Sequence, residues 1–181
     1  MLKNLLKKVQ TERLTDPSKR RLFSGRTKKK QAMRLPWVIN EEVFTSGCTQ
    51  CAKCISSCET HIIVKDEEGF PKVDFSLGEC TFCNKCIESC EEPLFSGSFA
   101  KNNTEKAWPV TITISDKCLA KSNIYCQSCR DECETSVIKF NFHDSSIPQP
   151  NIDDIDCSQC GACIKTCPQN AIAFHFESTL T

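Results

Sequence analysis

The sequence predicts an α+β fold made of two small tandem units, each built from short antiparallel hairpins and short helices, behind a basic N-terminal arm. Three observations favour it: 16 of the 181 residues are cysteine, these cysteines fall into four groups of four, and parts of the chain repeat. Only 39% of the residues are apolar, so buried surface alone would poorly offset the conformational entropy of two compact units. We therefore expect bound cofactors to supply much of the stability.

The cysteine groups share one spacing. Two residues separate the first three cysteines from one another, and three residues separate the third from the fourth. The third group departs from this pattern, because seven residues lie between Cys118 and Cys126, and the fourth group ends in Pro168. The groups are Cys48, Cys51, Cys54 and Cys58; Cys80, Cys83, Cys86 and Cys90; Cys118, Cys126, Cys129 and Cys133; and Cys157, Cys160, Cys163 and Cys167.

This spacing is the one by which bacterial ferredoxins bind [4Fe–4S] clusters. Three closely spaced cysteines wrap one face of a cubane, with backbone N–H groups turned toward the sulfurs, and the fourth begins a helix and ligates the neighbouring cluster. Structural zinc would need two cysteine pairs per ion, and a disulfide framework would need an oxidising compartment. We predict four [4Fe–4S] clusters in two bacterial-type, two-cluster ferredoxin-like units, with all sixteen cysteines as ligands.

An internal repeat suggests how the groups pair. Residues 58–65 match residues 133–140, and a Pro-containing segment follows each. This makes the first and third groups equivalent and indicates a tandem duplication; a nested pairing of the first group with the fourth stays open. The tandem ligand sets are Cys48, Cys51, Cys54 and Cys90; Cys58, Cys80, Cys83 and Cys86; Cys118, Cys126, Cys129 and Cys167; and Cys133, Cys157, Cys160 and Cys163.

The predicted boundaries follow the composition. Alternating apolar residues predict a strand at Val110–Ile114, with Ala171–Phe176 as its antiparallel mate. Trp37 and Trp108 precede the two units at comparable points, and we expect each to pack against its unit's edge. The divisions are an arm at 1–36, a first unit at 37–98, a linker at 99–107 and a second unit at 108–181.

Charge is distributed unevenly although the net charge is zero. Residues 1–34 carry 12 Lys and Arg against two acidic residues, and the other 147 residues carry 11 basic and 21 acidic ones. The arm begins with apolar residues at helical spacing, so it is either a frayed basic helix or a segment that docks in a groove or on a membrane surface. The acidic body argues against a nucleic-acid partner.

The predictions on cellular location and on catalysis rest mainly on sequence motifs that the chain does not contain. The sequence contains no run of 18 apolar residues, so it predicts no membrane-spanning helix. Arg20-Arg21 is not followed by the apolar segment that a twin-arginine export signal has. We expect a cytoplasmic protein. The chain has no P-loop, dinucleotide fingerprint or nucleophile signature, and its three histidines are isolated. We therefore expect an electron-transfer or maturation protein and not an enzyme with its own substrate site.

From about Ser18 onward the chain resembles the NapF family, the ferredoxin-type accessory proteins of the periplasmic nitrate reductase system. The resemblance rests on Ser18–Arg21 with Gly25-Arg26, on Arg34–Trp37, on Glu79–Cys83, and on the cysteine groups. Asp116–Ala120 also fits, and the seven-residue gap that follows Cys118 within it is the most specific of these features. Residues 1–17 have no counterpart in the family pattern.

The resemblance implies a cytoplasmic partner, the catalytic subunit of periplasmic nitrate reductase before its export. It implies that the protein helps to load or reduce that subunit's own cluster. The alternative is an electron carrier that relays electrons in the nitrate respiratory chain, for which a membrane-associated electron donor would be a second partner.

Overall fold

The helices and strands are short because cysteine loops and turns interrupt the chain every few residues. The computed structural model describes residues 31–97, 105–142 and 145–177. The helices there are α1 Glu41–Gly47, α2 Lys53–Ser57, α3 Lys85–Glu88, α4 Ser128–Asp131 and α5 Ala162–Thr166. The strands are β1 Ile63–Lys65, β2 Pro71–Val73, β3 Val110–Ile114, β4 Ile138–Asn141, β5 Gln149–Ile152 and β6 Ile172–Phe176. The predicted mixture of short helices and short antiparallel strands is confirmed.

Helix α1 delivers the chain to the first cysteine group. The Asn40 side chain caps it by accepting a 2.8 Å hydrogen bond from the Val43 N–H, and Glu41 and Glu42 place negative charge in its first turn. Phe44 is its buried residue. The helix ends at Cys48, whose N–H donates to the Phe44 carbonyl, so its packing fixes where the first cysteine lies.

The strands form three antiparallel pairs. Strand β1 pairs with β2 and β4 with β5, and these two hairpins lie at matching places in the internal repeat. Strand β3 pairs with β6 from Val110↔Phe176 to Ile114↔Ile172. This confirms the predicted pairing, which closes the second half of the chain at both ends.

The first half is closed more weakly at the corresponding place. A single antiparallel bridge joins Val38 to Phe95, with backbone hydrogen bonds from Ile39 to Leu94 and from Ser96 to Trp37. Pro93 precedes this short pairing and has no N–H to extend it. The two halves thus share a plan and differ in how firmly their ends are joined.

Both tryptophans are buried where the two halves meet. The Trp37 indole donates to the Glu105 carbonyl at 3.2 Å, and the Trp108 indole donates to the Arg34 carbonyl at 2.8 Å. The Trp37 N–H also donates to the Ala107 carbonyl. Each tryptophan therefore bonds the segment that leads into the other half, whereas sequence analysis placed each at its own unit's edge.

One hydrophobic cluster crosses this junction. It contains Leu35, Phe44, Phe75, Trp108 and other residues of both halves, and a smaller cluster around Ile138 and Ile172 lies within the second half. Leu35, at the end of the predicted arm, is 1% exposed and belongs to this core. Residues 1–30 of that arm lie outside the described residues, as does most of the predicted linker. The boundaries at 36, 98 and 107 stay predictions.

Across the described ranges, none of the helices is both long and apolar enough to cross a membrane.

Arg34 connects the segment before α1 to three other parts of the chain. Its guanidinium donates to the Glu41 carboxylate at 2.6 to 3.0 Å, to Asp66 Oδ2 at 2.8 Å and to the Pro71 carbonyl at 3.1 Å. It also lies 5.1 Å from the Phe44 ring centroid. Burial of Asp66 opposes ionisation, but hydrogen bonds from Arg34 and from backbone amides outweigh it and lower the pKa of Asp66.

We predict that Arg34→Ala destabilises the protein by about 2 kcal/mol, because it leaves two carboxylates without their partner. Glu41 is 39% exposed, which keeps the loss below that of a fully buried pair. Asp66 ionises more readily folded than unfolded, so its contribution is complete above its unfolded pKa of about 3.9 and fades as pH falls through the lower folded value. Anaerobic denaturation followed by circular dichroism measures both effects.

Arg130→Ala is the matched control, since Arg130 is exposed and its guanidinium donates a hydrogen bond to Gln127 Oε1. Equal stability losses in the two variants would show that the Arg34 contacts contribute nothing particular.

Candidate metal centres

The sixteen cysteines line four cavities, four to each. Each cavity takes three cysteines from one group and the last cysteine of its partner group. Site I is lined by Cys48, Cys51, Cys54 and Cys90; site II by Cys58, Cys80, Cys83 and Cys86; site III by Cys118, Cys126, Cys129 and Cys167; and site IV by Cys133, Cys157, Cys160 and Cys163. This is the tandem arrangement, and the nested one does not occur in the structure.

Left-handed residues bend three of the four loops around their cavities. The loops of sites I, II and IV begin at Cys48, Cys80 and Cys157, and in each loop the second and fourth residues after that cysteine have positive φ. These residues are Gln50 and Ala52, Phe82 and Asn84, and Gln159 and Gly161. Alternation of left-handed and right-handed residues turns successive N–H groups to one side and makes a concave anion-binding surface. In site I, hydrogen bonds from the Lys53 backbone and the Thr49 side chain lower the pKa of Cys51.

The loop of site III is built differently. The seven residues after Cys118 include a 3₁₀ turn at Ala120–Ser122, and Gln127 has a φ of −136° where the other loops have a left-handed residue. The inserted segment is anchored elsewhere: Gln149 Nε2 donates to the Ala120 carbonyl at 2.8 Å, and Ser145 Oγ donates to Asn123 Oδ1 at 3.0 Å. The insertion is therefore tied to β5 and to the β4–β5 connection, and its Leu119 also lines the site III cavity.

At some cysteines, burial and the charges of neighbouring cysteines raise the pKa. Burial, followed by the charges of Cys48, Cys51 and Cys90, raises the pKa of Cys54 to about 11. Burial and neighbouring cysteines likewise raise the pKa of Cys86 and of Cys163 to about 12. Four thiolates could share such a cavity only with compensating positive charge, which iron supplies when a cluster binds. The donor set therefore fits an iron–sulfur cluster.

Asn84 provides a second test of fit. Its Oδ1 is buried in the site II cavity and has no hydrogen-bond partner among the residues that the structure describes, which is costly for a polar atom. A half-turn of the amide places Nδ2, a donor, at the same point. A cluster sulfur there would accept that hydrogen bond, so this atom also fits a bound cluster.

Hydroxyl groups accompany several of the cysteines. Thr60 Oγ1 lies 3.6 Å from Cys58 Sγ, and Thr135 Oγ1 lies 3.6 Å from Cys133 Sγ. The Ala171 N–H donates to Cys167 Sγ at 3.3 Å. Hydrogen bonds to sulfur tune a cluster's potential. Sequence analysis missed Asn84 and both threonines as contributors, although the repeated Cys-Glu-Thr in residues 58–60 and 133–135 was a visible signal.

Two ion pairs join the first cysteine group to the second, one at site I and one at site II. Lys53 pairs with Glu91, and Lys85 pairs with Glu59. Each lysine directly precedes a cysteine of one group, and each glutamate directly follows the last cysteine of the other. Because these side chains are at least half exposed, the pairs add little stability.

The histidines are not part of the cysteine cavities. Neither His61 nor His175 lines any of the four sites, and His143 lies outside the described residues. Among the residues that the structure describes, no group of three or more His, Cys, Asp or Glu side chains could hold a single metal ion.

Comparison with known proteins gives the class. Residues 47–92 and 124–171 each match the 4Fe-4S dicluster domain family, and together they cover half of the chain. The chain is thus a ferredoxin-type iron–sulfur protein with two dicluster domains in tandem. The second match begins after Cys118, the cysteine that the seven-residue insertion separates from its group.

Relatives along the whole chain give the particular family. A ferredoxin-type protein NapF of Haemophilus influenzae is 42% identical over 143 residues, 79% of this chain and 78% of the relative. A ferredoxin-type protein NapF of Escherichia coli K12 is 38% identical over 162 residues, 89% of this chain and 96% of the relative. The chain belongs to the NapF family, as the resemblance predicted.

A more distant relative aligns with a smaller share of this chain and with less than half of its own length. One component of an ion-translocating oxidoreductase complex from Methanosarcina acetivorans is 32% identical over 133 residues, 71% of this chain and 47% of the relative. The number of clusters and the assignment of individual cysteines as their ligands stay predictions.

We predict that Asn84→Ala lowers the reduction potential of one cluster by about 40 mV, because it removes a hydrogen bond to sulfur that stabilises the reduced cluster by about 1 kcal/mol more than the oxidised one. A potentiometric titration followed by electron paramagnetic resonance (EPR) measures this shift. Asn123→Ala is the control, since Asn123 is also left-handed but lines no cysteine cavity. Unchanged reduction potentials in Asn84→Ala would show that Asn84 donates no hydrogen bond to a cluster.

We also predict that air destroys the cluster of site III first, because its loop lacks the left-handed turns that wrap the other sites. Timed air exposure, thiol alkylation and peptide mass spectrometry follow each site separately, and an anaerobic sample gives the background. Alkylation that proceeds equally fast at all four sites would contradict this prediction.

Proposed function

We propose that this protein binds four [4Fe–4S] clusters and assists maturation of the periplasmic nitrate reductase catalytic subunit in the cytoplasm before export. In this role it loads or reduces the immature subunit's own cluster. The observation that carries the proposal is that four cavities, each lined by four cysteines, occur in a chain whose NapF relatives align with most of its length. It carries electrons or clusters and has no substrate site of its own.

The charge distribution supports a docking role for the arm. Residues 1–34 hold an excess of ten positive charges, and the rest of the chain holds an equal excess of negative charge. Complementary charge accelerates encounter and selects partners, and its effect falls as salt rises. The precursor of the catalytic subunit would meet the arm, while the acidic body carries the clusters.

A second candidate function is electron relay in the nitrate respiratory chain, supplied by a membrane-associated donor. It is favoured by the direct backbone contact between the loops of sites II and IV, because clusters bound there would be neighbours across the two halves. A relay needs clusters that remain bound through repeated reduction, whereas a cluster donor needs one that leaves.

A pull-down from anaerobic extracts separates the candidates. Maturation predicts that the chain captures the unexported catalytic subunit and not the mature, exported form. Capture of both forms, with reversible electron delivery to the mature enzyme and no loss of iron, would favour the relay.

We predict that precursor binding weakens at least tenfold between low and moderate salt, because the arm contributes several charges. Lys28→Gln, Lys29→Gln and Lys30→Gln together should reproduce much of this loss at low salt. Lys65→Gln, Lys139→Gln and Lys165→Gln change the same net charge on exposed positions of the body and should have little effect. Equal losses in the two triple variants would show that net charge and not the arm determines binding.

A further inference from the structure

The loops of sites II and IV are in direct contact. The Cys80 N–H donates a 2.8 Å hydrogen bond to the Cys160 carbonyl. Cys80 lines site II in the first half, and Cys160 lines site IV in the second half. Two cysteines that are 80 residues apart in the sequence are thus joined by one peptide hydrogen bond, so their sites are neighbours across the junction.

An aromatic ring fixes this contact. Phe75 lies against Gly161 of the site IV loop, and its ring packs edge-on to Trp108 and Phe174 at centroid distances of 5.4 and 5.2 Å. A Cβ atom at position 161 would lie only 2.1 Å from Phe75 Cδ1. The halves can approach this closely only because residue 161 has no side chain.

The cysteine loop itself does not require glycine there. The equivalent left-handed positions in sites I and II are Ala52 and Asn84, with φ of 62° and 61°. The loop conformation therefore accepts a Cβ, and the demand for glycine at position 161 comes from Phe75 across the junction.

Gln159 holds the same loop from its other side. Its side chain is buried, accepts a 3.1 Å hydrogen bond from the Trp108 N–H and donates one of 3.0 Å to the Val110 carbonyl. The residues that enter the second half are thereby tied to the site IV loop, which leaves that loop little freedom to move away from site II.

Within each half the two sites are also adjacent. Helix α2, which carries Cys54 of site I, contacts α3, which carries Cys86 of site II. Helix α4, which carries Cys129 of site III, contacts α5, which carries Cys163 of site IV. Sites I and II are neighbours, and so are sites III and IV.

We infer that the four sites form one series in the order I, II, IV, III, and that Phe75, Gly161 and Gln159 are positioning residues that keep the two inner clusters adjacent. This deepens the proposed function and rests on it only for the presence of four clusters. An electron that moves along the series oxidises one cubane and reduces the next, and no bond is made or broken. The two dicluster units then act as one redox body and not as two.

The test compares EPR spectra of the full chain after anaerobic reduction with a europium(II) chelate. Gly161→Ala and Phe75→Trp each overfill the junction, one from each side. Gly69→Ala is the matched control, because Gly69 has a similar left-handed φ of +88° but faces the flexible Gln50 side chain instead of the junction. Interactions within each half are common to all variants, so spectral differences report contact between the halves.

We expect the wild type and Gly69→Ala to share the same spin–spin interaction, and both junction variants to lose the part that arises between the halves. Combining Gly161→Ala with Phe75→Ala removes the clashing ring together with its packing on Trp108 and Phe174, and should recover part of the interaction between the halves that Gly161→Ala alone loses. Unchanged spectra in the junction variants that retain wild-type iron would overturn the inference.

If one of the two junction variants loses iron, the EPR spectrum of the other variant still tests the inference. If both variants lose iron and the combination with Phe75→Ala does not recover it, the ring is not what Gly161 accommodates, and the inference fails. The measurement needs no partner protein, so its result is independent of whether the nitrate reductase subunit is the true target.

Discussion

Mutual repulsion among crowded thiolates is the constraint on which the rest of the structure depends. Each cavity gathers four cysteines, and burial together with the charges of neighbouring cysteines raises the pKa of Cys54, Cys86 and Cys163, which disfavours ionisation of these three thiols. A bound cluster with its positive iron removes that penalty, so cofactor binding and folding are one equilibrium. This explains how a chain with few apolar residues and helices of four to seven residues can hold a defined shape.

The exchange of the fourth cysteine couples the sites that this equilibrium creates. Cys58 and Cys90 leave their own groups to complete each other's cavities, and Cys133 and Cys167 do the same in the second half. Loss of one ligand therefore disturbs a neighbouring loop as well. The second half repeats this arrangement, but the ladder of β3 and β6 closes it where a single bridge closes the first half.

Much of the site was readable from the sequence because cysteine spacing is a local signal. The spacing predicted the four cysteine groups, and alternation predicted the pairing of β3 with β6. The internal repeat favoured the tandem pairing and left the nested one open, since spacing within a group says nothing about which groups meet. Nor could it reveal the Arg34 contacts or the glycine requirement at position 161, because these arise where segments distant in the chain pack together.

The placement of the tryptophans has a practical consequence for spectroscopy. The chain has two tryptophans, and both lie within the junction between the halves, next to Phe82 of the site II loop. Tryptophan fluorescence therefore originates from the junction alone, and bound clusters that absorb at the emission wavelengths would quench it. If the fluorescence recovers as iron is removed, it reports cluster occupancy at the junction without an attached dye.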